Sequence, residues 1–130
     1  MQHTFPVTVY YEDTDMGGIV YHANYLKYIE RARSDWVRGL GLDQTAMRAA
    51  GTVFAVRRVE ADFLAPSRLD ERLEVRTGVL RSSGARLLLA QEILRGAKTL
   101  FRARVELVAI DGATGGAQRL PLALRALAPG

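Results

Sequence analysis

One amphipathic stretch, Tyr25 to Leu40, constrains this chain more than any other. Tyr25, Leu26, Ile29, Ala32, Trp36, Val37 and Leu40 recur at helical spacing, while Lys27, Glu30, Arg31, Ser34, Asp35 and Arg38 fill the opposite face. A stripe of that length needs a broad apolar surface to lie on. On the polar face Arg31 and Asp35 stand four residues apart, the spacing of an ion pair worth about 0.2–0.5 kcal/mol. Gly39 and Gly41 end the helix, and Asp43 is placed to cap a short second helix that Gly51 stops.

The surface comes from strands. Thr4 to Tyr11 reads as a first strand ending at Glu12, with Pro6 near its start where a missing N–H is tolerated. In Val53 to Phe63, Arg58, Glu60 and Asp62 alternate with Val59, Ala61 and Phe63, the period of a half-buried strand. Leu73, Val75 and Val79 alternate with Arg72, Glu74 and Arg76 before a turn at Ser82 to Gly84. Arg86 to Leu94 is more apolar and is expected at the sheet centre; after a turn at Gly96 and Lys98, Leu100 to Ile110 turns Arg102, Arg104 and Glu106 to water. Asp111 to Gln118 reads as a flexible loop, Pro121 as a possible helix start within the tail Leu120 to Leu127, and the final Ala-Pro-Gly as loose.

Strands that follow one another through tight connections form an antiparallel sheet, and one long helix covers one of its faces. The expected class is therefore α+β, a single domain over residues 1–130, with residues 111–130 as loop and tail. Long edge strands left over call for a second subunit, so a homodimer is expected.

At 130 residues the chain is long enough to bury a core, and it has no cysteine for disulfides, thiolate chemistry or a cysteine zinc site. The net charge of +4 comes from 18 Lys plus Arg against 14 Asp plus Glu, scattered rather than gathered on one face, which argues against nucleic acid. Its excess of arginine suits an anionic, phosphate-bearing ligand. No apolar run reaches membrane-spanning length and no secretory leader is visible, so a cytoplasmic protein without membrane insertion is expected.

Chemistry concentrates between the first strand and the helix, in Tyr10 to Tyr25, YYEDTDMGGIVYHANY. Asp13, Asp15 and Gly18 occupy positions one, three and six of an EF-hand loop, but Gly17 and Asn24 stand where ligands belong and a strand precedes it, so no metal is expected. An Asp-x-Asp after a strand also opens haloacid dehalogenase-like phosphatases, whose larger parallel fold this chain lacks. A third reading uses the helix itself. The first turn, from Ala23 or Asn24, presents unpaired N–H groups and the positive end of the dipole, which would polarise a carbonyl and stabilise charge developing on it. A carboxylate opposite could attack that carbonyl or deprotonate water, and Gly17 and Gly18 let backbone approach a ligand. The bland alternatives are that either aspartate is a turn former or cap, that His22 is a polar residue at a helix start, and that the five tyrosines are ordinary core and interface aromatics.

At these residues the sequence resembles a known family. Tyr11-x-x-Thr14-Asp15-x-x-Gly18-x-Val20-Tyr21-His22-x-x-Tyr25, then Glu30-Arg31-Ala32-Arg33, is similar to the signature of hotdog-fold acyl-CoA thioesterases of the 4-hydroxybenzoyl-CoA thioesterase-like branch, and within it to the bacterial thioesterases encoded beside the Tol-Pal envelope genes. The likeness continues through Phe54-x-Val56-Arg57, Ala65-Pro66-x-Arg68-Leu69-Asp70 and Leu73-Glu74-Val75, to about Asp111. It implies the hotdog fold, an antiparallel β-sheet wrapped around one long central helix, and hydrolysis of acyl-CoA thioesters without a cofactor. By position, Asp15 matches the catalytic carboxylate, as nucleophile or general base. The backbone N–H of His22 matches the donor that polarises the thioester carbonyl, and its side chain a histidine that orients water or the carboxylate. Asp13 then buttresses the turn, and Glu30 and Arg33 are structural. Gly18, Val20, Tyr21 and Tyr25 fall among substrate-binding positions, and Arg57, Arg81 and Arg86 are candidates for the coenzyme A phosphates at a subunit interface. A homodimer or homotetramer is implied. Two other functions on the same fold are a dehydratase, disfavoured because His22 and Asp15 share one short loop, and a non-catalytic module binding acyl carrier protein or acyl-CoA.

Overall fold

The computed structural model describes residues 2–127. Five strands form one antiparallel sheet: β1 (His3–Thr8), β2 (Thr52–Phe63), β3 (Arg72–Ser83), β4 (Arg86–Arg95) and β5 (Lys98–Asp111), in the spatial order β1-β3-β4-β5-β2. β4 is central, as its apolar composition predicts. Between β1 at one edge and β2 at the other, the chain carries α1 (His22–Gly39) across one face, then α2 (Gln44–Ala49); a last short helix, α3, spans Leu122–Arg125. This is the expected α+β hotdog arrangement. The Ala-Pro-Gly end lies outside the described residues.

The core is the seam between α1 and the sheet. Tyr28, Ile29 and Ala32 pack with Val75, Leu89, Ile93, Phe101 and Val105, all essentially fully buried. Each large aliphatic side chain so buried contributes about 1.5–3 kcal/mol. The stripe differs by two residues from the one read off the sequence: Leu26 is 41% exposed and Tyr28 is buried. One residue on from Tyr25 the helix has turned by roughly 100°, which takes Leu26 off the seam. Val37 stands at a similar angle but is covered, because the chain folds back over it at Leu40 and Leu42. Asp43 caps α2 as expected, its carboxylate accepting from the N–H groups of Thr45 and Ala46.

Three further local expectations change. β1 ends at Thr8 rather than Tyr11, and Tyr11–Asp13 form a 3-10 turn that leaves the Tyr11 ring exposed. Arg31 does not pair with Asp35: its guanidinium sits over the Tyr28 ring, while Asp35 accepts from His3 Nε2 at 2.8 Å and lies 4.0 Å from Arg38. β2 is not half-buried in the single chain. It is an edge strand on which Val56, Val59 and Phe63 stay 40–49% exposed, although Phe63 touches His22 and Tyr25 of α1 and Phe54 and Ala61 pack against the core. A register shift between Val56 and Arg58 in the β2–β5 pairing turns both Arg57 and Arg58 toward acidic partners on the outer face.

Candidate active site

Asp15 opens a tight loop. Its N–H donates to the Ile19 carbonyl at 2.9 Å, its carbonyl accepts from Gly18 at 3.0 Å, and its Oδ1 accepts from the Gly17 N–H at 2.8 Å. Gly18 adopts φ +76°, a conformation that other residues enter at a cost, so the glycine here is a requirement of the turn. The Asp15 carboxylate therefore has one oxygen held by backbone and stands at an open cleft of about 790 Å³ that Tyr11, Met16 and Leu69 also line.

The far end of this loop is the start of α1. Val20 donates to the Ser67 carbonyl at 2.8 Å, and Tyr21 to the Asp13 carbonyl at 2.9 Å. His22 is the first residue of α1, one or two residues earlier than the sequence suggests, and the Tyr21 cap offers no side-chain acceptor to the first-turn N–H groups. The Asn24 N–H donates to the Tyr21 carbonyl at 2.8 Å, whereas the N–H groups of His22 and Ala23, at the positive end of the helix dipole, have no partner among the described residues. The His22 ring is exposed and makes edge contacts with Tyr21 and Phe63, at centroid distances of 4.7 and 5.9 Å; no hydrogen bond joins it to Asp15 among the described residues.

Of the other candidates, Gly18 and Tyr21 lie open beside the loop, while Val20 and Tyr25 are only 3% and 4% exposed. Tyr25 belongs to the core rather than to the lining of the Asp15 cleft: its ring stacks on Phe101 at 5.4 Å and its hydroxyl bonds the Ser67 Oγ at 2.7 Å. Arg57 and Arg86 share Glu106, at 2.6 and 3.8 Å, on the outer face of the sheet. Arg81 lines a separate cleft with Arg58, Arg104, Glu60 and Glu106, though among the described residues no carboxylate lies within salt-bridge reach of it. None of the three arginines lines the Asp15 cleft.

Two residues that hold the site are not evident from sequence. Ser67 is fully buried and ties both Val20 and Tyr25, yet it stands at an unassigned position between Pro66 and Arg68. Asn24, 7% exposed, donates through Nδ2 to Asp13 Oδ1 at 2.9 Å; only its place in the first helical turn hints at this. The buried Tyr28 hydroxyl has no partner in hydrogen-bonding geometry among the described residues. Burial first, and the nearby Asp13 carboxylate second, push its ionisation upward, so it stays a neutral phenol. No cluster of metal-ligating side chains occurs among the described residues.

The family model described as "Thioesterase-like superfamily" matches residues 9–127. The acyl-CoA thioester hydrolase YbgC of Escherichia coli O6:H1 is 42% identical over 108 residues, which cover 82% of this chain and 81% of that protein. The acyl-CoA thioesterase YbgC of Haemophilus influenzae is 40% identical over 109 residues, 83% of this chain and 80% of that protein. Among solved structures, a probable thioesterase from Bartonella henselae superposes with a TM-score of 0.88 at 39% identity, covering 93% of this chain and 100% of that one. The 1,4-dihydroxy-2-naphthoyl-CoA thioesterase Slr0204 from Synechocystis gives the same TM-score at 26% identity, covering 95% and 92%.

Proposed function

The chain belongs to the thioesterase-like superfamily, and from that premise we propose how its loop and helix start hydrolyse an acyl-CoA thioester. The carrying observation is that one short loop, pinned at both ends by backbone hydrogen bonds, joins the Asp15 carboxylate to the His22 and Ala23 N–H groups at the start of α1, which have no partner among the described residues. A thioester oxygen lodged against the His22 N–H is polarised, and the charge it gains as the carbonyl carbon becomes tetrahedral meets donors already in place. Asp15 attacks that carbon, expelling coenzyme A as a thiolate and leaving a mixed anhydride that water cleaves. In the other course it takes a proton from a water that attacks directly. Either way one water is consumed, and free acid and thiol are released. A thiolate leaves without strong acid assistance, so the reaction does not require a general acid from the site.

Glu30 and Arg33 stand at least a turn further along α1, roughly 12 Å or more from His22 by helix rise, and take no part. Arg57, Arg81 and Arg86 are proposed to meet the coenzyme A phosphates; Arg81, uncommitted to a carboxylate, is the best placed of the three. The exposed Val56–Val59–Phe63 row and the open edge of β2 support a homodimer joined along β2. A cytoplasmic setting belongs to the same proposal, and a chain without cysteine is compatible with it.

The test is release of free thiol from a panel of acyl-CoAs, short aliphatic to aromatic, by the protein and by Asp15→Asn. Loss of about 10²-fold or more in kcat is expected. A protein that liberates no thiol, or an Asp15→Asn variant as fast as the parent, overturns the assignment.

A further inference from the structure

We infer that Asp13 is a positioning residue: its buried carboxylate and carbonyl bind the catalytic loop and the first turn of α1 into one unit, and so set the separation between Asp15 and the His22 N–H. The inference rests on the thioesterase reading of those two groups. Asp13 is 3% exposed, and no cationic side chain pairs with it among the described residues. A buried carboxylate without a cation is costly unless hydrogen bonds compensate it. Here each oxygen has a donor. Oδ2 accepts from the Tyr10 N–H at 2.9 Å, on the strand side, and Oδ1 accepts from Asn24 Nδ2 at 2.9 Å, in the first turn of α1. The Asp13 carbonyl accepts from the Tyr21 N–H at 2.9 Å, one residue before His22.

The consequence is geometric. Asp13 lies two residues before Asp15, and its three bonds reach the chain before the loop, the helix cap and the helix body. Without them the loop would remain closed through Asp15–Ile19 and Val20–Ser67, but its orientation against the helix axis would not be fixed. A purely stabilising part in the core could be filled by an apolar residue; a paired acceptor and donor at 13 and 24 specify direction instead.

Asn24→Asp sets two carboxylates face to face and removes the donor, and Asp13→Ala removes both side-chain bonds. In each, kcat per folded protein is expected to fall about 10²-fold with KM little changed, because the reacting groups are misplaced rather than the substrate released. The double exchange Asp13→Asn with Asn24→Asp restores the pair in reverse, since the introduced amide donates to the introduced carboxylate and still accepts from Tyr10. It is expected to recover at least about tenfold of the rate lost in Asn24→Asp. A residue that merely stabilises the fold would lower Tm while leaving kcat below Tm unchanged, and that result overturns the inference. So does a double exchange no faster than Asn24→Asp, a comparison that holds even where Asp13→Ala does not fold. The control is Asp15→Asn: if it keeps full activity, the reading of the site fails, whereas if it is inactive beside fully active Asn24→Asp, only the role of Asp13 fails.

Discussion

Arg33 on α1 donates from Nη1 to the Oε1 of Gln91, 3.0 Å away on the central strand β4. Gln91 is fully buried and passes the connection on, its Nε2 donating to the Ile29 carbonyl at 3.0 Å and to the Thr77 hydroxyl at 2.9 Å. One side chain thus ties two points of α1 to β3 and β4 at the centre of an otherwise apolar seam. Burial lowers the proton affinity of Arg33, with Glu30 opposing, so the guanidinium already bears a desolvation cost in the native state. Gln91→Leu preserves volume but leaves the Thr77 hydroxyl and the half-buried Arg33 without their partner. It is expected to cost about 2–4 kcal/mol in urea unfolding, with kcat per folded molecule unchanged. A loss below about 0.5 kcal/mol would show that water replaces the amide.

Gly17 and Gly18 separate position from fold. The Gly17 N–H holds Asp15 Oδ1, and a Cβ added at Gly17 would stand 3.1 Å from that same oxygen, so Gly17→Ala forces the carboxylate to shift by a few tenths of an ångström. A shift of that size at a reacting group is expected to lower kcat on the order of tenfold while Tm holds. At Gly18 a Cβ meets nothing within 4 Å, but φ is +76°, so Gly18→Ala is expected to cost about 1 kcal/mol of stability. Thermal melts beside thiol-release rates distinguish the two, and equal effects on both readouts would contradict this division.

His22 allows the backbone donor to be removed without removing the helix. It is the first residue of α1, where proline is well tolerated, and Tyr21 before it is extended at φ −60° and ψ 131°, the conformation that a following proline demands. His22→Pro deletes the N–H and the imidazole together; His22→Ala deletes the ring alone. We expect losses in kcat of about 10²–10³-fold for the proline and a smaller loss for the alanine, which should also fall short of that for Asp15→Asn. Equal losses for both His22 variants would transfer the role to the imidazole.

What the sequence discloses and what it withholds divide along contact distance. Periodicity and turn residues are local, so the strand alternation, the central place of β4, the Asp43 cap and the Asp15–Gly18 turn are all legible from residues close in the chain. The partners of Asp13, Tyr25 and Gln91 are not, because Asn24, Ser67 and Thr77 lie 11, 42 and 14 residues away. Nothing local says that Ser67 is buried while Arg68 beside it is exposed. β2 misleads for a different reason. Its alternation is that of a strand with one face covered, yet in one chain Val56, Val59 and Phe63 stay 40–49% exposed while Phe54 and Ala61 are partly buried, so that face is covered only in part.

That surface predicts a change of mass. Val59 is 40% exposed and Phe63 49%, on an edge strand twelve residues long, and an uncovered apolar edge of that length favours pairing with another copy. A carboxylate at Val59 opposes such pairing while disturbing a side chain that is only partly buried. Val59→Asp is expected to convert a dimer, or a larger assembly, to a smaller species by light scattering at micromolar concentration. An unchanged mass would place the subunit contact elsewhere.

Glu106 sets the acid sensitivity of the sheet's outer face. The Arg57 guanidinium, donating to its Oε2 at 2.6 Å, is the main cause that holds its carboxyl below the ordinary glutamate value of 4.5; Arg86 and Arg58 add smaller contributions in the same direction. A folded-state pKa depressed in this way means that the unfolded chain binds the proton first as pH falls. The stabilisation is therefore complete above about 4.5 and is lost as pH drops from there through the lower folded value. Glu106→Gln is expected to flatten the stability profile over that window, read as urea midpoints at successive pH values, and to leave the slope above pH 6 unaltered. Some acid sensitivity should persist in the variant. Asp111 is also held low, by the N–H groups of Ala113 at 2.8 Å and Thr114 at 3.1 Å, and the substitution does not touch it. An unchanged profile below 4.5 would mean that Arg57 and Glu106 attract each other as much in the unfolded chain as in the folded one.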